Sequence, residues 1–354
     1  PHLNPTGATV NCIVVENDGE YEEVVYKPAK PLEEMAKEDI LNAIGEAGVV
    51  GMGGAGFPTR VKLSPKEPDK IDYIIANCAE CEPYITANHR LLLERSEDVC
   101  GGALILLKAL GLRHADIAVE NNKKDAIRKL NDLLYNNEIL SVKVLKTKYP
   151  QGGERMLIRA VTGRYLNSRL LPADRGCIVM NVASVLAAYG AISCGRPLTH
   201  CIMTVTGDAV SSPCNLEVPV GTSYAAVLAE AGGFSAEPEK VISGGPMMGV
   251  AQADLAVPVV KGTNAVLCLS RAQDREGAHP QCIRCAKCVT ACPMSLQPLY
   301  LYRFEQAGDL TALRRLNLTD CIECGCCAYV CPGRLPLVES FRAGKRAVKE
   351  ENAS

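Results

Sequence analysis

Residues 282–293 read Cys282–Ile–Arg–Cys285–Ala–Lys–Cys288–Val–Thr–Ala–Cys292–Pro293. Residues 321–332 repeat this spacing and add one thiol, Cys326: Cys321–Ile–Glu–Cys324–Gly–Cys326–Cys327–Ala–Tyr–Val–Cys331–Pro332. Both runs follow the pattern C-x₂-C-x₂-C-x₃-C-P, in which a tight loop directs three thiolates toward one point. The pattern therefore gives two groups of four cysteines, each with the spacing of metal ligands.

This spacing is typical of proteins that hold two [4Fe–4S] clusters, because each cubane needs four thiolates and the fourth comes from the other run. We therefore assign Cys282, Cys285, Cys288 and Cys331 to one cluster, and Cys321, Cys324, Cys327 and Cys292 to the other. Structural zinc is the alternative, since zinc also binds four thiolates. Two runs that both end in proline favour iron–sulfur clusters, and Cys326 is then a neighbour in a crowded loop.

Length and composition exclude several classes of protein. A chain of 354 residues exceeds the size at which one core keeps growing, so two or more domains are expected. A formal charge of -2 without a long basic run argues against a nucleic-acid partner. The most apolar stretch, Ala103–Leu112, is short and contains Lys108, and no secretory signal is visible. The 18 cysteines therefore indicate a reducing cytosol rather than a secreted disulfide scaffold.

Helical and strand patterns alternate from about residue 31 to residue 196, which predicts a mainly parallel sheet covered by helices. The predicted strands are Ile71–Ala76, Asp116–Glu120, Leu140–Lys146 and Cys177–Val182, and the predicted helices are Lys37–Ala47, Arg90–Leu110, Lys123–Tyr135 and Ala183–Ser193. Before residue 31, Cys12–Val15 and Val24–Tyr26 flank an Asn–Asp–Gly turn and predict a hairpin.

The second half of the chain contains shorter elements. Residues 197–249 predict a small α+β module with strands Met203–Val205 and Leu216–Val220 and helix Tyr224–Glu230. Residues 250–270 are β-like pieces or a linker. The cysteine-rich segment, 271–354, predicts helices at Gln297–Gln306 and Leu310–Leu316, so its fold is expected to be helical.

A glycine-rich loop is the second informative stretch, Gly51–Met–Gly53–Gly54–Ala55–Gly56–Phe57–Pro58. Glycines let the backbone approach a phosphate and point amides at it. A Rossmann fingerprint follows a strand and opens a helix. Here a helical pattern precedes the glycines and Pro58 follows them, so the fingerprint does not fit. Taken alone, the loop fits a ligand site and a plain turn equally well.

Three further motifs complete a pattern that covers essentially the whole chain. They are Asn77–Cys–Ala–Glu80–Cys–Glu82–Pro83, Lys148–Tyr149–Pro–Gln–Gly152–Gly153–Glu154 and Ile242–Ser–Gly–Gly–Pro–Met–Met–Gly249. Together with the glycine loop and the cysteine runs, they resemble the C subunit of the Rnf complex. That family is related to the NADH-binding flavoprotein subunit of respiratory complex I.

The resemblance implies a set of domains. It implies an FMN-binding α/β domain with a mainly parallel sheet at 31–196 and a β-grasp, SLBB-like domain at 197–249. It also implies an α-helical domain for two [4Fe–4S] clusters at 271–354, after the β segment at 250–270. Residues 1–30 would be the remnant of an N-terminal barrel-sandwich module.

The resemblance also implies site residues for FMN and NAD(H). Gly51, Gly53, Gly54, Ala55 and Gly56, with Lys62, would hold the phosphate and ribityl chain of FMN. The isoalloxazine pocket would be formed by Asn77, Glu80, Tyr149, Gly152, Val179 and Asn181. The nicotinamide nucleotide would face Phe57, Glu82 and Glu154, with Phe57 stacking on its adenine, and Gly153 would be a further cofactor-binding position. Ala79, Gly153 and Met180 depart from the aspartate, glutamate and asparagine of the complex I relative.

The expected function is electron transfer from NADH by a flavin and iron–sulfur oxidoreductase, a subunit of an ion-translocating ferredoxin:NAD⁺ oxidoreductase. Its partners would be membrane subunits of the complex, and the chain itself would be cytoplasmic and peripheral on the cytoplasmic face of the membrane. One alternative is a soluble adapter that feeds a reductase of the proline-reductase or cobalamin-reductase type. Another is an electron-transfer module with an empty flavin fold. Cys78 and Cys81 form a C-x-x-C pair that fits a redox role or, as we favour, a structural role.

Overall fold

The structure is a computed structural model that describes residues 2–353 apart from residues 8, 21, 23, 28, 29, 55 and 272–280. Ala55 of the predicted site and the start of the predicted cluster domain therefore lie outside the described residues. The chain divides into two compact units. The first contains the chain up to Leu166, Leu170–Gly245 and Val250–Arg271, and the second contains Asn167–Arg169, Pro246–Gly249 and the C-terminal part of the chain.

The first strands lie at the N-terminus, where β1 (His2–Leu3) pairs with β2 (Thr9–Val10) in antiparallel orientation. The predicted hairpin of Cys12–Val15 and Val24–Tyr26 is wrong, because neither segment has regular secondary structure. Ile13 is 91% and Val25 is 88% exposed. A pair of strands needs a packed face to be stable in water, and these side chains do not provide one.

The first unit contains a four-stranded parallel sheet in the order β5-β4-β3-β6. Its strands are β3 (Tyr73–Asn77), β4 (Ala115–Glu120), β5 (Leu140–Leu145) and β6 (Cys177–Asn181). All six residues of β4 are buried, as expected for an inner strand covered on both faces. The four predicted strands are confirmed to within two residues at each end.

Helices cover the faces of this sheet. They are α1 (Lys37–Glu46), α2 (Thr59–Lys62), α3 (Ala87–Glu94), α4 (Ser96–Leu110), α5 (Lys124–Leu133), α6 (Glu154–Thr162) and α7 (Val182–Ser193). Helices α4 and α7 approach closely, since a Cβ atom on Gly102 would lie 2.3 Å from the Val185 carbonyl oxygen. The single helix predicted over Arg90–Leu110 is divided at Arg95, whose φ of -128° lies outside the helical range.

A five-stranded sheet in the order β10-β9-β11-β7-β8 follows in the same unit. It consists of β7 (His200–Thr206), β8 (Cys214–Pro219), β9 (Pro238–Ser243), β10 (Val250–Gln252) and β11 (Ala265–Ser270), with α8 (Tyr224–Glu230) packed on it. Strand β11 runs parallel to β7, and the other pairs are antiparallel. Residues 250–270, expected as a β segment or linker, thus supply two strands of the sheet.

The second unit is helical in its described residues, as predicted. It contains α9 (Lys287–Thr290), α10 (Pro298–Gln306), α11 (Leu310–Arg315), α12 (Cys326–Tyr329) and α13 (Leu337–Ala353). Leu301, Leu313 and Phe341 are buried between α10, α11 and α13. Helix α13 was not predicted. Within the described part of the chain, we find no helix with the length and apolarity that a membrane crossing requires.

Candidate cofactor sites

The glycine-rich loop closes on itself between α1 and α2. Val50 and Pro58 form an antiparallel bridge, and the Gly51 N–H donates to the Phe57 carbonyl at 2.8 Å. Gly54 has a φ of 112° and Gly56 a φ of 62°, which side-chain-bearing residues rarely adopt. A Cβ atom on either glycine would meet no heavy atom within 4 Å. The outer face of the loop is therefore open, which fits the approach of a phosphate to the backbone.

A buried serine fixes this loop to helix α7. The Ser184 hydroxyl accepts a hydrogen bond from the Met52 N–H at 2.8 Å and donates to the Val50 carbonyl at 3.0 Å. A Cβ atom on Gly53 would lie 3.8 Å from the Asn181 amide nitrogen. The loop consequently lies at the carboxyl end of β6, where ligands bind in open parallel sheets. Ser184 was not predicted from the sequence, because α7 also contains the hydroxyls of Tyr189 and Ser193 and no pattern singles Ser184 out.

Asn77 and Asn181 are paired at the ends of the adjacent parallel strands β3 and β6. The Asn77 side-chain amide donates to the Gly152 carbonyl at 2.9 Å. The Asn181 side-chain oxygen accepts from the Ala183 N–H at 2.9 Å and caps α7. The structure thus brings three predicted pocket residues to one edge of the sheet. Val179 is 4% exposed and packs in the core in the middle of β6, so its contact with flavin stays a prediction.

Gly152 joins two of the sequence motifs. A Cβ atom on it would lie 2.3 Å from the Ala79 carbonyl oxygen and 3.3 Å from the Cys81 sulfur. Its N–H donates to the Cys81 sulfur at 3.2 Å. Burial raises the pKa of Cys81 to about 11 and raises the pKa of Cys78 further still. Both cysteines are free thiols, and their protonation at neutral pH supports the structural role over a redox pair.

Glu80 is 8% exposed and binds the first turn of α3. Its carboxylate accepts from the Asn88 N–H at 2.7 Å and the His89 N–H at 3.2 Å, with the Lys123 ammonium at 3.9 Å. Burial raises the pKa of Glu80, while the two amides and Lys123 act in the opposite direction. An anion at a helix N-terminus is stabilised by the unpaired amides there. Glu80 thus has a structural role, and its contact with flavin stays a prediction.

The predicted cationic and nucleotide-facing residues lie around the loop. The Lys62 ammonium pairs with the Glu154 carboxylate at 2.8 Å. Glu154 begins α6 directly after its N-cap, Gly153. Phe57 is 51% exposed at the end of the loop, as stacking on a ligand would require. Lys62 and Glu154 are thus in contact, and Phe57 is exposed at the end of the neighbouring glycine loop.

Two other predicted residues have different surroundings. Glu82 lies against Gly245, because a Cβ atom on that glycine would lie 2.3 Å from a Glu82 carboxylate oxygen. Tyr149 is half-buried and begins the turn that leads to Gly152. The structure therefore connects Glu82 to the Ile242–Gly249 motif and Tyr149 to the Asn77 edge of the sheet.

Two buried polar residues near this edge were missed by the sequence analysis. Glu120, at the end of β4, is 1% exposed, and Gln151 is 3% exposed. One side-chain oxygen of each has no hydrogen-bond partner within the described residues. The other Glu120 oxygen accepts from the Lys148 N–H at 3.3 Å. Burial raises the pKa of Glu120, Glu80 adds to that rise, and Lys123 opposes it.

The eight cysteines of the two runs surround two cavities of about 360 Å³ each, measured with their openings to solvent. One cavity is lined by Cys282, Cys285, Cys288 and Cys331. The other is lined by Cys321, Cys324, Cys327 and Cys292, together with Cys326. Each cavity thus takes its fourth thiol from the other run, which is the arrangement that the crossed assignment requires.

The two cysteine loops have the same backbone conformation. Arg284 and Ala286 in the first loop have φ values of 57° and 59°, and Glu323 and Gly325 at the matching positions have 55° and 77°. These left-handed residues turn successive cysteines toward the cavity. Among the described residues, no three His, Cys, Asp or Glu side chains converge closely enough to hold a single metal ion.

Helix α13 supports the second loop. The Glu323 carboxylate pairs with Arg342 at 2.9 Å and with Lys345 at 2.6 Å. Lys345 also donates to the Cys321 carbonyl at 2.7 Å. These two cations lower the pKa of Glu323 against the effect of its burial. The helix that the sequence analysis missed therefore holds the loop that carries three of the predicted ligands.

Comparison with protein families assigns the same three regions. The chain matches the Nuo51 FMN-binding domain over residues 44–190 and the SLBB domain over residues 202–251. It matches the 4Fe-4S dicluster domain over residues 281–334. The expected fold class is confirmed, and the chain combines an FMN-binding domain with a domain for two [4Fe–4S] clusters.

Comparison with solved structures supports the fold. A chain of the NAD⁺-reducing [NiFe]-hydrogenase in the air-oxidized state is similar with a TM-score of 0.60 and 20% identity. The similarity covers 92% of this chain and 57% of the hydrogenase chain. The H₂-reduced state of the same enzyme gives a TM-score of 0.59. At this identity the likeness concerns the fold alone.

Characterised relatives cover nearly the whole sequence. The C subunit of the Na⁺-translocating ferredoxin:NAD⁺ oxidoreductase complex of Acetobacterium woodii is 43% identical, over 98% of this chain and 78% of the relative. The C subunit of the proton-translocating complex of Clostridium ljungdahlii is 42% identical, over 90% of this chain and 70% of the relative. The C subunit of the ion-translocating oxidoreductase complex of Rhodobacter capsulatus is 40% identical, over 100% of this chain and 68% of the relative. The chain therefore belongs to the family of C subunits of ion-translocating ferredoxin:NAD⁺ oxidoreductase complexes, the Rnf family.

Proposed function

We propose that the chain transfers electrons between NAD(H) and a partner redox protein, as the nucleotide-oxidising or nucleotide-reducing subunit of a ferredoxin:NAD⁺ oxidoreductase. The observation that carries this proposal is the combination of an open glycine loop and two cavities, each lined by four cysteines with crossed-ligand grouping and one of them also by Cys326, in one chain. Bound FMN would exchange two electrons with nicotinamide and single electrons with iron–sulfur clusters. A chain with both kinds of site can connect the two chemistries.

The residues of the glycine loop would bind the anionic part of FMN. The amides of Gly53, Gly54 and Gly56 lie in the open loop, and Lys62 supplies a positive charge from the next helix. Asn77 and Asn181 would orient the ring at the carboxyl edge of the sheet. Glu154 pairs with Lys62 in this structure, so a bound phosphate would compete with that carboxylate for the ammonium.

The partners would be the membrane subunits of an Rnf-type complex, which would hold the chain on the cytoplasmic face of the membrane. The relatives named above are subunits of such complexes, and two of them carry names that specify Na⁺ or proton translocation. Isolation of the natural protein with membrane subunits would support this assignment. Isolation with a soluble reductase would instead support the adapter role.

Flavin loading and electron transfer can be tested with Gly54→Val. The substitution puts a branched side chain at a φ of 112° and into the open space beside the loop. Protein purified without oxygen and reconstituted with FMN, iron and sulfide should reduce a one-electron dye with NADH. The variant should lose FMN and this activity but keep its iron and sulfide.

The control is Gly190→Ala, which lies in α7, where a Cβ atom has no neighbour within 4 Å. It should keep FMN, clusters and dye reduction at the level of the unsubstituted protein. Stoichiometric FMN in Gly54→Val would contradict the binding role of the loop. NADH-dependent dye reduction by flavin-free protein would contradict the proposed electron path.

A further inference from the structure

Buried side-chain oxygens without a hydrogen-bond partner are concentrated around the predicted flavin site. Within the part of the chain that the structure describes, they are Oε2 of Glu120, Oε1 of Gln151 and Oγ1 of Thr59. Thr59 follows the glycine loop directly, and the other two residues lie at the carboxyl edge of the parallel sheet. Native proteins pair nearly all of their buried polar groups, so this concentration needs a physical explanation.

The backbone of Lys148 connects Glu120 with Gln151. Its N–H donates to Oε1 of Glu120 at 3.3 Å, and its carbonyl accepts from the Gln151 N–H at 2.9 Å. Glu120 ends β4, the strand beside β3, and Gln151 precedes Gly152, whose carbonyl binds Asn77 at the end of β3. Both unpaired oxygens therefore belong to the edge of the sheet where ligands of parallel sheets bind.

The two side chains offer complementary hydrogen-bonding groups. Oε1 of Gln151 is an acceptor. Burial raises the pKa of Glu120, and a protonated carboxyl can donate through the oxygen that Lys148 does not bind. The pyrimidine half of an isoalloxazine ring carries the N3–H group between two carbonyl oxygens. That edge can therefore satisfy one acceptor and one donor of the protein together.

We propose that Glu120 and Gln151 bind the pyrimidine edge of the isoalloxazine ring, with Gln151 accepting from N3–H and Glu120 donating to an adjacent carbonyl. This assignment rests on the FMN binding proposed above and adds two residues to it. Buried water is the alternative partner of these oxygens. With water as the partner, the two residues would stabilise the fold and would not affect flavin affinity. With flavin as the partner, they bind the ring and destabilise the flavin-free chain.

Gln151→Met separates these two roles, because methionine has a similar length and no hydrogen-bonding oxygen. The flavin-free variant should melt at the same temperature as the unsubstituted chain or higher, since a buried unpaired oxygen is removed. Its affinity for FMN, measured by quenching of flavin fluorescence, should fall about threefold to tenfold, the contribution of one neutral hydrogen bond. Glu120→Leu should lower FMN affinity to a similar extent. Glu120→Gln retains a donor on the same side chain and should lose less affinity than Glu120→Leu.

An FMN analogue methylated at N3 tests the assignment to the ring edge. Methylation removes the donor, so it should weaken binding to the unsubstituted chain more than binding to Gln151→Met. The matched control is Tyr224→Phe, which removes a buried hydroxyl that hydrogen-bonds Ser243 at 2.8 Å in the other sheet. This control should lower the melting temperature and leave FMN affinity unchanged.

Two results would overturn the assignment. One is an unchanged FMN affinity in Gln151→Met, and the other is an equal effect of methylation on that variant and on the unsubstituted chain. If the unsubstituted chain itself bound no FMN, the proposed function would fail, and this inference with it.

Discussion

Gly152→Ala is the most direct test of the predicted flavin site at the carboxyl edge of the parallel sheet, where Asn77 and Asn181 lie. The new Cβ atom would lie 2.3 Å from the carbonyl oxygen of Ala79, far inside van der Waals contact. The obstructing atom belongs to the backbone and cannot rotate away. The turn that contains Gly152 must therefore move away from the loop that follows β3.

The size of the effect follows from the contacts that this movement breaks. They are the hydrogen bond from Gly152 N–H to the Cys81 sulfur at 3.2 Å and the bond from the Asn77 amide to the Gly152 carbonyl at 2.9 Å. Each such bond is worth about 0.5–1.5 kcal/mol, and overpacking costs about 1–3 kcal/mol. A penalty of about 2 kcal/mol is the low end of the sum, equivalent to about 30-fold in an equilibrium constant.

We expect Gly152→Ala to weaken FMN binding by about 30-fold or more, because Gly152 and its hydrogen-bond partner Asn77 are both predicted to line the isoalloxazine pocket. Quenching of flavin fluorescence measures the affinity, and circular dichroism measures the melting temperature, which should fall by a few degrees. Gly190→Ala is the matched control and should change neither quantity. Unchanged FMN affinity and unchanged melting temperature in Gly152→Ala would refute the packing described here.

Three other substitutions test separate parts of the molecule. Lys62→Met should weaken FMN binding by about 10- to 100-fold, which is the contribution of a charge-assisted hydrogen bond. The affinity for riboflavin, which has no phosphate, should stay unchanged. An equal loss of affinity for both flavins would exclude a contact between Lys62 and the phosphate. Burial raises the pKa of Glu120, so the folded chain holds a proton that the unfolded chain releases above a pKa of about 4.3. Stability then falls as the pH rises between these two pKa values. Glu120→Gln should raise the melting temperature at neutral pH but not at a pH below the pKa of Glu120 in the unfolded chain. A difference in melting temperature between the variant and the unsubstituted protein that stays constant with pH would contradict this. Cys292→Ala should remove the cluster of the other run, with Cys321; loss of the Cys282 cluster instead, seen by electron paramagnetic resonance, would disprove the crossed assignment.

Features with a local cause were predictable from the sequence. The spacing of the cysteine runs predicts the crossed grouping of thiols, because four ligands around a cubane allow few loop geometries. The alternation of strand and helix patterns predicted the parallel sheet, because inner strands such as β4 are buried on both faces and contain a short apolar run, here Ile117 to Val119. The position of Asn77 at the end of β3 was implied by its motif, and the structure brings it to the same edge as Asn181.

Features that depend on contacts between separate elements were not predictable. Apolar residues such as Ile13 and Val25 predicted a hairpin, yet no packed surface covers them in the structure. Glu80 binds the amides of α3, and no pattern in its motif indicates that contact. Helix α13 was missed although it holds Glu323 through Arg342 and Lys345. In each case the decisive interaction is tertiary, and sequence periodicity carries no information about it.

The central position of β11 sets a limit on how this chain can be divided into fragments. The strand lies between β9 and β7, outside the segment 202–251 that defines the SLBB match. A fragment cut at residue 251 would leave the N–H and C=O groups of both neighbours without partners along two newly created edges. Such edges pair with other chains, so that fragment should precipitate on expression. A fragment that extends through Ser270 retains the whole ladder and should remain in solution.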